Sequence, residues 1–115
     1  MSWAIIEKNS GKCIGQIAFF LVDSINHFAE IEYCVGYAFQ KKGYATEATK
    51  AIIEYGFNNI NLHKIQISTK AINLPSKRVI EKCGLKYAGT LRDYFFLNGE
   101  YTGRLYYSIL RSEFE

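Results

Sequence analysis

The segment at positions 40–46 has residue types and spacing that suit an anion-binding turn. It reads Gln-Lys-Lys-Gly-Tyr-Ala-Thr and joins a predicted strand to a predicted helix. A glycine turn that leads into a helix presents backbone N–H groups without partners at the positive end of the helix dipole, which suits a pyrophosphate. Because the segment has neither the Gly-Lys-Ser/Thr of a P-loop nor a GxGxxG pattern, an ordinary turn with a surface lysine pair is the alternative interpretation.

A second candidate segment begins with Asn73 and continues through Pro75 and Ser76. Asparagine is a favoured N-cap and proline is tolerated in the first turn, so helix capping alone would explain this pattern. Asn73 also follows a predicted strand, and ligands of open α/β sheets collect at the carboxyl ends of strands. Asn73 could therefore cap the helix and also contact a ligand.

Two carboxylates, Glu30 and Glu32, are two residues apart on one predicted strand and therefore lie on the same face of it. In a cleft beside Gly43, such a carboxylate could accept a proton from a bound nucleophile or attract a cationic amine. The other interpretation is that the pair belongs to a solvent-exposed face of the sheet.

The three cysteines, Cys13, Cys34 and Cys83, are odd in number and have no CxxC spacing. This argues against a disulfide framework and against a metal site. Neither Cys34 nor Cys83 has a plausible histidine partner that would activate a thiolate. Covalent catalysis is therefore not expected.

The periodicity of apolar residues predicts the elements that position these groups. Strands are predicted at 3–7, 13–22, 29–37, 64–70, 85–97 and 101–110, and helices at 43–58 and 74–83. The alternation over 30–37 has the two-residue period of a strand, whereas Ala45, Ala48, Ile52 and Gly56 share one stripe of a helix.

The order of these elements predicts a mixed α/β sheet. The strand–helix–strand unit at 29–70 implies a parallel strand pair within one sheet. The Asn98-Gly99 turn predicts an antiparallel hairpin at the end of the chain, and Gly84 is well placed as the left-handed residue after the second helix.

The composition is that of one folded domain at 1–115. Apolar residues make up 49% of the 115 residues and aromatic residues 16%, which argues against disorder. The formal charge of +3 is small and the cations are scattered, which favours a phosphorylated ligand over nucleic acid. Since no apolar run has membrane-spanning length and no signal peptide is evident, a cytoplasmic location without a membrane partner is expected.

Taken together, these motifs resemble the GNAT superfamily of acyl-CoA-dependent N-acetyltransferases over essentially the whole chain. The branch with the most similar motifs contains spermidine and ribosomal-protein alanine acetyltransferases. Positions 40–45 match the family's pyrophosphate pattern, Q/R-x-x-G-x-G/A, and positions 73–76 and 81–85 look like its second cofactor segment. Positions 61–64 and 95–101 are typical of the same branch. The resemblance implies a mixed, mostly antiparallel sheet with flanking helices, in which the central parallel strand pair is splayed.

The resemblance implies transfer of an acetyl group from acetyl-CoA to a primary amine (a polyamine, a protein N-terminus or a small amine) by direct attack in a ternary complex. It implies Glu30 as the general base, ahead of Glu32, and a backbone N–H near Val35 that polarises the thioester carbonyl. It also implies a set of residues that bind coenzyme A: Tyr33, Cys34, Val35, Gln40, Lys41, Lys42, Gly43, Tyr44, Ala45, Thr46, Asn73 and Ser76.

The chain departs from the family pattern in two places. Many relatives have a tyrosine, the acid for the leaving thiolate, where this chain has Ile80, so Ser76, water or the thiol itself would take that role. The elements that usually precede the segment beginning at Ser2 are absent, so the domain is expected to be N-terminally truncated, with an exposed sheet edge that favours a homodimer. A non-catalytic CoA-binding remnant is therefore the alternative function, and a nucleotide-binding regulatory domain is a weaker third one.

Overall fold

The computed structural model describes residues 1–114, which form one six-stranded mixed sheet and three helices. The strands are β1 (Ser2–Ile6), β2 (Cys13–Asp23), β3 (Phe28–Val35), β4 (Lys64–Lys70), β5 (Lys86–Leu97) and β6 (Glu100–Leu110). The helices are α1 (Tyr44–Asn59), α2 (Leu74–Lys82) and α3 (Arg111–Phe114). None of these helices is long and apolar enough to span a membrane.

The sheet has the strand order β1-β2-β3-β4-β6-β5, and only β3 and β4 are parallel neighbours. The predicted mixed, mostly antiparallel sheet with a central parallel pair is therefore confirmed. The α1 crossover connects the two parallel strands, as expected for a strand–helix–strand unit.

The parallel strands separate after a short paired region. Residues 28–31 of β3 pair with 64–67 of β4. Beyond that point β3 continues to Val35 as a partner of β2, while β4 continues to Lys70 as a partner of β6. A V-shaped opening therefore lies between the carboxyl ends of β3 and β4, and the predicted splay of the parallel pair is confirmed.

The hydrophobic core lies between the sheet and α1 with α2. The buried residues of α1 are Thr49, Ile52, Ile53, Gly56 and Phe57. This is the predicted helical stripe, although Ala45 and Ala48 are only half-buried. From the sheet, Ile31 of β3 and Ile65 of β4 belong to the same cluster. The core therefore ties α1 to the two strands that form the opening.

The predicted chain reversals are confirmed by their backbone geometry. Gly84 has a φ of 86°, and the bonds from Gly84 N–H to the Glu81 carbonyl and from Leu85 N–H to the Ile80 carbonyl form a Schellman motif. In the hairpin between β5 and β6, Asn98 and Gly99 both have positive φ, at 52° and 79°. This is the left-handed geometry that favours Asn-Gly.

One predicted strand is too long. The strand expected at 29–37 ends at Val35, and the chain continues as a short 3-10 turn at Tyr37–Phe39. The Gly36 N–H still bonds to the Ile14 carbonyl, but Tyr37 leaves the sheet and is 91% exposed. The alternating pattern continues past Val35, because the sequence pattern does not show where the chain leaves its partner strand.

Candidate active site

The opening between β3 and β4 continues into a cleft of about 870 Å³, lined also by the beginnings of α1 and α2. The cleft brings together most of the predicted site residues: Glu30, Tyr33, Cys34, Val35, Gln40, Lys41, Gly43, Ala45, Thr46, Asn73 and Ser76. Lys42 and Tyr44 are not part of its lining. Residues far apart in the sequence therefore meet where the parallel pair separates.

The turn before α1 has the geometry expected of an anion-binding helix start. Gly43 is the N-cap of α1 in the left-handed conformation, with φ 82°, and no side chain caps the helix. The N–H groups of the first turn, at 44–46, thus have neither a helical nor a side-chain cap partner. Nothing lies within 4 Å of the place where a Cβ on Gly43 would stand, so the space beside the turn is open.

Gln40 supports the turn rather than presenting a free side chain to the cleft. Its side-chain Nε2 donates to the Val35 carbonyl over 3.1 Å, and its backbone N–H donates to the Tyr37 carbonyl. The next residue, Lys41, has a positive φ of 63°. Gln40 therefore links the end of β3 to the segment that leads into α1.

The side chains of Lys42 and Tyr44 point away from the cleft. The Lys42 ammonium lies 5.6 Å from the ring centre of Phe39. The Tyr44 hydroxyl donates to Glu7 Oε2 over 2.5 Å, and this bond is the main reason why the pKa of Tyr44 is raised. The cofactor-binding role predicted for these two residues stays a prediction, and in this arrangement their backbone groups are the parts that lie at the helix start.

At the start of α2, Asn73 is the N-cap. Its Oδ1 accepts a hydrogen bond from the Ser76 N–H over 3.1 Å, so the capping interpretation is correct. Asn73 is also exposed and lines the cleft, which leaves its amide nitrogen available to a ligand. The Ser76 side chain reaches across the opening to β3, where the Tyr33 hydroxyl lies 3.4 Å from Ser76 Oγ.

Glu30 is a buried carboxylate, not a residue of a solvent-exposed sheet face. It is 3% exposed and accepts three hydrogen bonds. Gln66 Nε2 donates to Oε1 over 2.6 Å, while Ser68 Oγ and Arg104 Nη2 donate to Oε2 over 3.3 and 3.4 Å. Since a carboxylate offers about four acceptor positions, roughly one position remains for a ligand.

Arg104 fixes this carboxylate from β6. Its guanidinium also donates to Ser68 Oγ and to the Tyr94 hydroxyl, each over 2.9 Å. Three aromatic rings surround it, with centres at 4.9, 6.0 and 5.2 Å from the guanidinium carbon for Tyr94, Phe95 and Tyr106. Cation–π contacts of this kind add to the ion pair and hold the arginine in place.

Glu32 differs from Glu30 in its surroundings, although both line the cleft. Glu32 is exposed and lies on the part of β3 that has left β4. Of the two candidate bases, Glu30 is therefore buried and held by hydrogen bonds, whereas Glu32 is accessible to solvent.

The buried cysteine is not a nucleophile. Burial raises the pKa of the Cys83 thiol to about 11, and its Sγ donates to the Thr46 carbonyl over 3.6 Å. A thiol with this pKa is almost entirely protonated near neutral pH, so it does not provide a reactive thiolate.

Several residues that line the cleft were not among the predicted site residues, although Pro75 and Lys82 lie within the second cofactor segment. These residues are Phe20, Ile31, Ile67, Ser68, Thr69, Lys70, Pro75, Arg78, Val79, Lys82, Phe95 and Arg104. Arg78 and Lys82 are four residues apart on α2, a spacing that places two cations on one helix face and could have identified them. Arg104 has no comparable pattern around it. With these additions, the lining contains five cations and two carboxylates, a balance that suits a polyphosphate.

A family comparison agrees with this geometry. Residues 1–86 match the model of the acetyltransferase (GNAT) domain. The chain belongs to the GNAT family. The resemblance in motifs is therefore confirmed, and acetyl-CoA is the acetyl donor that this family uses.

Individual relatives have similar sequences and the same fold. YnaD of Bacillus subtilis, an uncharacterized N-acetyltransferase, is 36% identical over 113 residues, which cover 95% of this chain and 64% of that protein. YdaF of the same organism, named as a candidate ribosomal N-acetyltransferase, is 33% identical over 105 residues, covering 91% of this chain and 57% of YdaF. A dodecameric structure of spermidine N-acetyltransferase from Vibrio cholerae superimposes with a TM-score of 0.90 at 26% identity, covering 98% of this GNAT chain and 66% of that one.

The chain thus spans between 57% and 64% of the length of these two curated relatives. The residues of this GNAT chain fit coenzyme A on their own geometry. The open space beside Gly43, the uncapped amides of α1 and the cations Lys41, Arg78 and Lys82 offer a diphosphate both room and positive charge.

Proposed function

We propose that this GNAT chain binds acetyl-CoA in the cleft and transfers the acetyl group to a primary amine by direct attack in a ternary complex. The observation that supports this most is the opening between β3 and β4, which connects the start of α1 to Glu30. One end of the cleft carries amides and cations for an anion, and the other carries a carboxylate able to accept a proton.

The helix start and α2 would hold the donor. The amides at 44–46 and the side chains of Lys41, Arg78 and Lys82 would bind the diphosphate, and the β3 edge at 33–35, which has no β4 partner, would pair with the pantetheine arm. Acetyl-CoA supplies an acetyl group activated as a thioester. A backbone N–H near Val35 would stabilise negative charge on the carbonyl oxygen.

Glu30 would act on the acceptor. An amine with a pKa near 10 is neutral in only about one molecule in a thousand at pH 7, a cost of roughly 4 kcal/mol. A carboxylate that accepts the proton inside the cleft offsets this cost. The one free acceptor position that remains on Glu30 is enough for an amine or for a water that relays its proton.

The class of acceptor proposed is a polyamine, a protein N-terminus or another small amine. The names of the relatives favour the first two, since they include a spermidine N-acetyltransferase and a candidate ribosomal N-acetyltransferase. Lys70 and Arg104 also line the cleft, and their charges balance those of its two carboxylates. The lining therefore has no excess of negative charge that would favour a polycation.

We also propose that the chain forms a homo-oligomer. β1 and β5 are the edge strands of the sheet, and edge strands of this kind can pair with another copy. The Vibrio cholerae neighbour is described as dodecameric. Sedimentation of the full chain would test this, and a monomer at all concentrations would refute it.

The function itself is tested by measuring binding and turnover separately. Titration calorimetry with acetyl-CoA reports binding, and mass spectrometry of a panel of polyamines, peptides and small amines reports acetylated products. Binding together with product formation supports an enzyme. Binding without product on any amine would instead identify a CoA-binding remnant, whereas competition by ATP but not by CoA would identify a nucleotide-binding domain.

The anion-binding turn is tested by Gly43→Val, with Gly11→Val as a matched control. Both glycines have left-handed φ, 82° and 70°, and neither has an atom within 4 Å of the added Cβ, so the backbone strain is similar. Only Gly43 borders the cleft. If the side chain removes two charge-assisted bonds of about 1.5–3 kcal/mol each, acetyl-CoA affinity falls at least about 100-fold in Gly43→Val and not in Gly11→Val. Equal affinities would refute this assignment.

A further inference from the structure

An amine that attacks a thioester expels a thiolate, so the cleft should supply a proton to sulfur. Among the described residues that line the cleft, Tyr33 carries the only phenol. The other hydroxyl groups of the lining belong to Thr46, Ser68, Thr69 and Ser76. Ile80, on α2, is fully buried and has no proton to donate.

A phenol matches this task better than an aliphatic hydroxyl does. The ordinary pKa of tyrosine, about 10, is close to that of a thiol, about 8.5, so proton transfer between the two groups is nearly balanced. A serine or threonine hydroxyl does not ionise in the range that proteins reach. It could relay a proton, but it would not be the source of one.

The fold places Tyr33 on the opposite face of β3 from Glu30. Ile31 and Tyr33 face the helices, where Tyr33 packs against the core cluster and its hydroxyl lies 3.4 Å from Ser76 Oγ. Glu30 faces Arg104 on the other side. An amine that enters from one side would therefore meet Glu30 as its proton acceptor. A sulfur that leaves towards α2, on the other side, would meet Tyr33 as its proton donor.

We propose that the Tyr33 hydroxyl protonates the leaving sulfur and that Ser76 positions the phenol for this step. Glu30 first takes the ammonium proton and releases it to solvent. The neutral amine nitrogen then forms a bond to the acetyl carbon and gives a second proton to Glu30. The carbon–sulfur bond breaks, its electron pair goes to sulfur, and the Tyr33 proton follows. Glu30 then loses its proton to solvent and Tyr33 regains one, so the net products are an amide and a thiol. This inference rests on the proposed function.

The surroundings of Tyr33 keep it ready to donate. Burial raises the pKa of Tyr33, and the bond to Ser76 offsets only part of this effect, so the phenol stays protonated throughout the neutral range. The same shift makes Tyr33 a weaker acid than free tyrosine, so its proton moves to sulfur only when the thiolate forms beside it. The neighbouring Cys83 is a weaker candidate, because its own thiol already donates to the Thr46 carbonyl beneath the cleft.

The first test needs no turnover. Binding of CoA and of desulfo-CoA is measured by titration calorimetry for the wild type and for Tyr33→Phe, which removes only the hydroxyl. If that hydroxyl meets the sulfur, the substitution weakens CoA binding by about fivefold and leaves desulfo-CoA binding unchanged. Tyr37→Phe, a change at an exposed phenol outside the cleft, is the matched control and should alter neither affinity.

The second test separates proton donation from packing. Acetyl-CoA and its selenoester analogue are compared as donors, because the more acidic selenol leaves without needing a proton. Tyr33→Phe should lower kcat about 100-fold with the thioester, but less than about tenfold with the selenoester. Ser76→Ala should show the same selectivity at a smaller size. A merely structural role would lower both rates equally.

The outcomes distinguish this inference from the proposed function. Product formation by the wild type with no coupling between Tyr33 and the sulfur, or with equal losses on both donors, overturns the role of Tyr33. Coupling in the binding test without any product from the wild type keeps the Tyr33–sulfur contact but refutes acyl transfer, and with it the protonation step.

Discussion

Replacing Glu30 by glutamine tests the assignment of the general base, and the structure shows why glutamine is the right substitution. The three donors around Glu30 require acceptors. A glutamine oxygen can still accept from Ser68 and Arg104, and its NH2 can face Gln66 if that amide turns over to present its own oxygen. The variant therefore loses the charge and little else, whereas Glu30→Ala would leave three donors without partners.

The expected cost to folding is small compared with the expected loss of turnover. Arg104 loses its counter-ion, but it is a fifth exposed and keeps its bonds to Ser68 and Tyr94. A lost bond between charged groups costs about 1.5–3 kcal/mol. A domain with an unfolding free energy of about 5–15 kcal/mol then keeps at least about 2 kcal/mol, so roughly 97% or more of the molecules stay folded at 25 °C.

Turnover of Glu30→Gln should fall much further than the fraction of folded protein does. General base catalysis contributes about 100-fold to 10,000-fold, and a loss of that size cannot come from a few per cent of unfolded protein. The affinity for acetyl-CoA should stay within about threefold of the wild type, because Glu30 faces away from the helix start that would bind the diphosphate. Product formation is followed by mass spectrometry and donor affinity by calorimetry, with thermal unfolding measured on the same samples.

Two further variants decide between a chemical and a structural role for Glu30. Glu32→Gln makes the same change at the exposed carboxylate two residues along β3 and should leave most of the turnover. Arg104→Met breaks the ion pair but retains Glu30. If Glu30 serves only to hold Arg104, then Arg104→Met and Glu30→Gln lose the same amount of activity. Equal turnover of Glu30→Gln and the wild type, or a larger loss in Glu32→Gln, would refute Glu30 as the base.

Three other predictions concern local structure. A Cβ added in Gly15→Ala would lie 2.1 Å from the Cys34 carbonyl oxygen, so the strands must separate and urea unfolding should show a loss of at least about 1–3 kcal/mol; an unchanged midpoint contradicts this contact. Cys83, with a pKa of about 11, becomes a thiolate only as the pH rises towards 11, so at pH 8 mass spectrometry should find iodoacetamide on exposed Cys34 long before Cys83. Asn73→Ala should cost about 1 kcal/mol of stability and Asn73→Ser much less; if acetyl-CoA affinity falls equally in both, the amide also contacts the ligand.

The sequence predicted those parts of the fold that depend on neighbouring residues. The stripe containing Ile52 and Gly56 lies on the core face of α1, and Asn98-Gly99 makes the hairpin, because periodicity and turn chemistry act within a few residues. The turn around Gly43 could be predicted for the same reason, since a strand, a glycine and a helix follow each other directly. The roles of the predicted site residues stay predictions until ligands are bound.

The parts that could not be predicted depend on distant residues. Arg104 and Glu30 are 74 positions apart, and Tyr44 and Glu7 are 37 apart. Neither contact has a local pattern in the sequence. The first forms only after β6 pairs with β4, and the second only after α1 docks beside β1 and β2. The early end of β3, with exposed Tyr37, belongs to the same class, since the strand stops where its pairing with β2 ends.

The separation of base and proposed acid depends on the register of β3. Side chains alternate across a strand, so Glu30 and Tyr33, three residues apart, must lie on opposite faces, and a slip of one residue would exchange both. Two features of β2 oppose such a slip. Because Gly15 has no Cβ, β2 can approach the Cys34 carbonyl more closely at this position than a residue with a side chain could. The irregularity after Phe19 gives β2 one extra residue opposite the part of β3 that contains Glu30. The arrangement of the cleft is therefore set as much by its neighbouring strand as by the residues that line it.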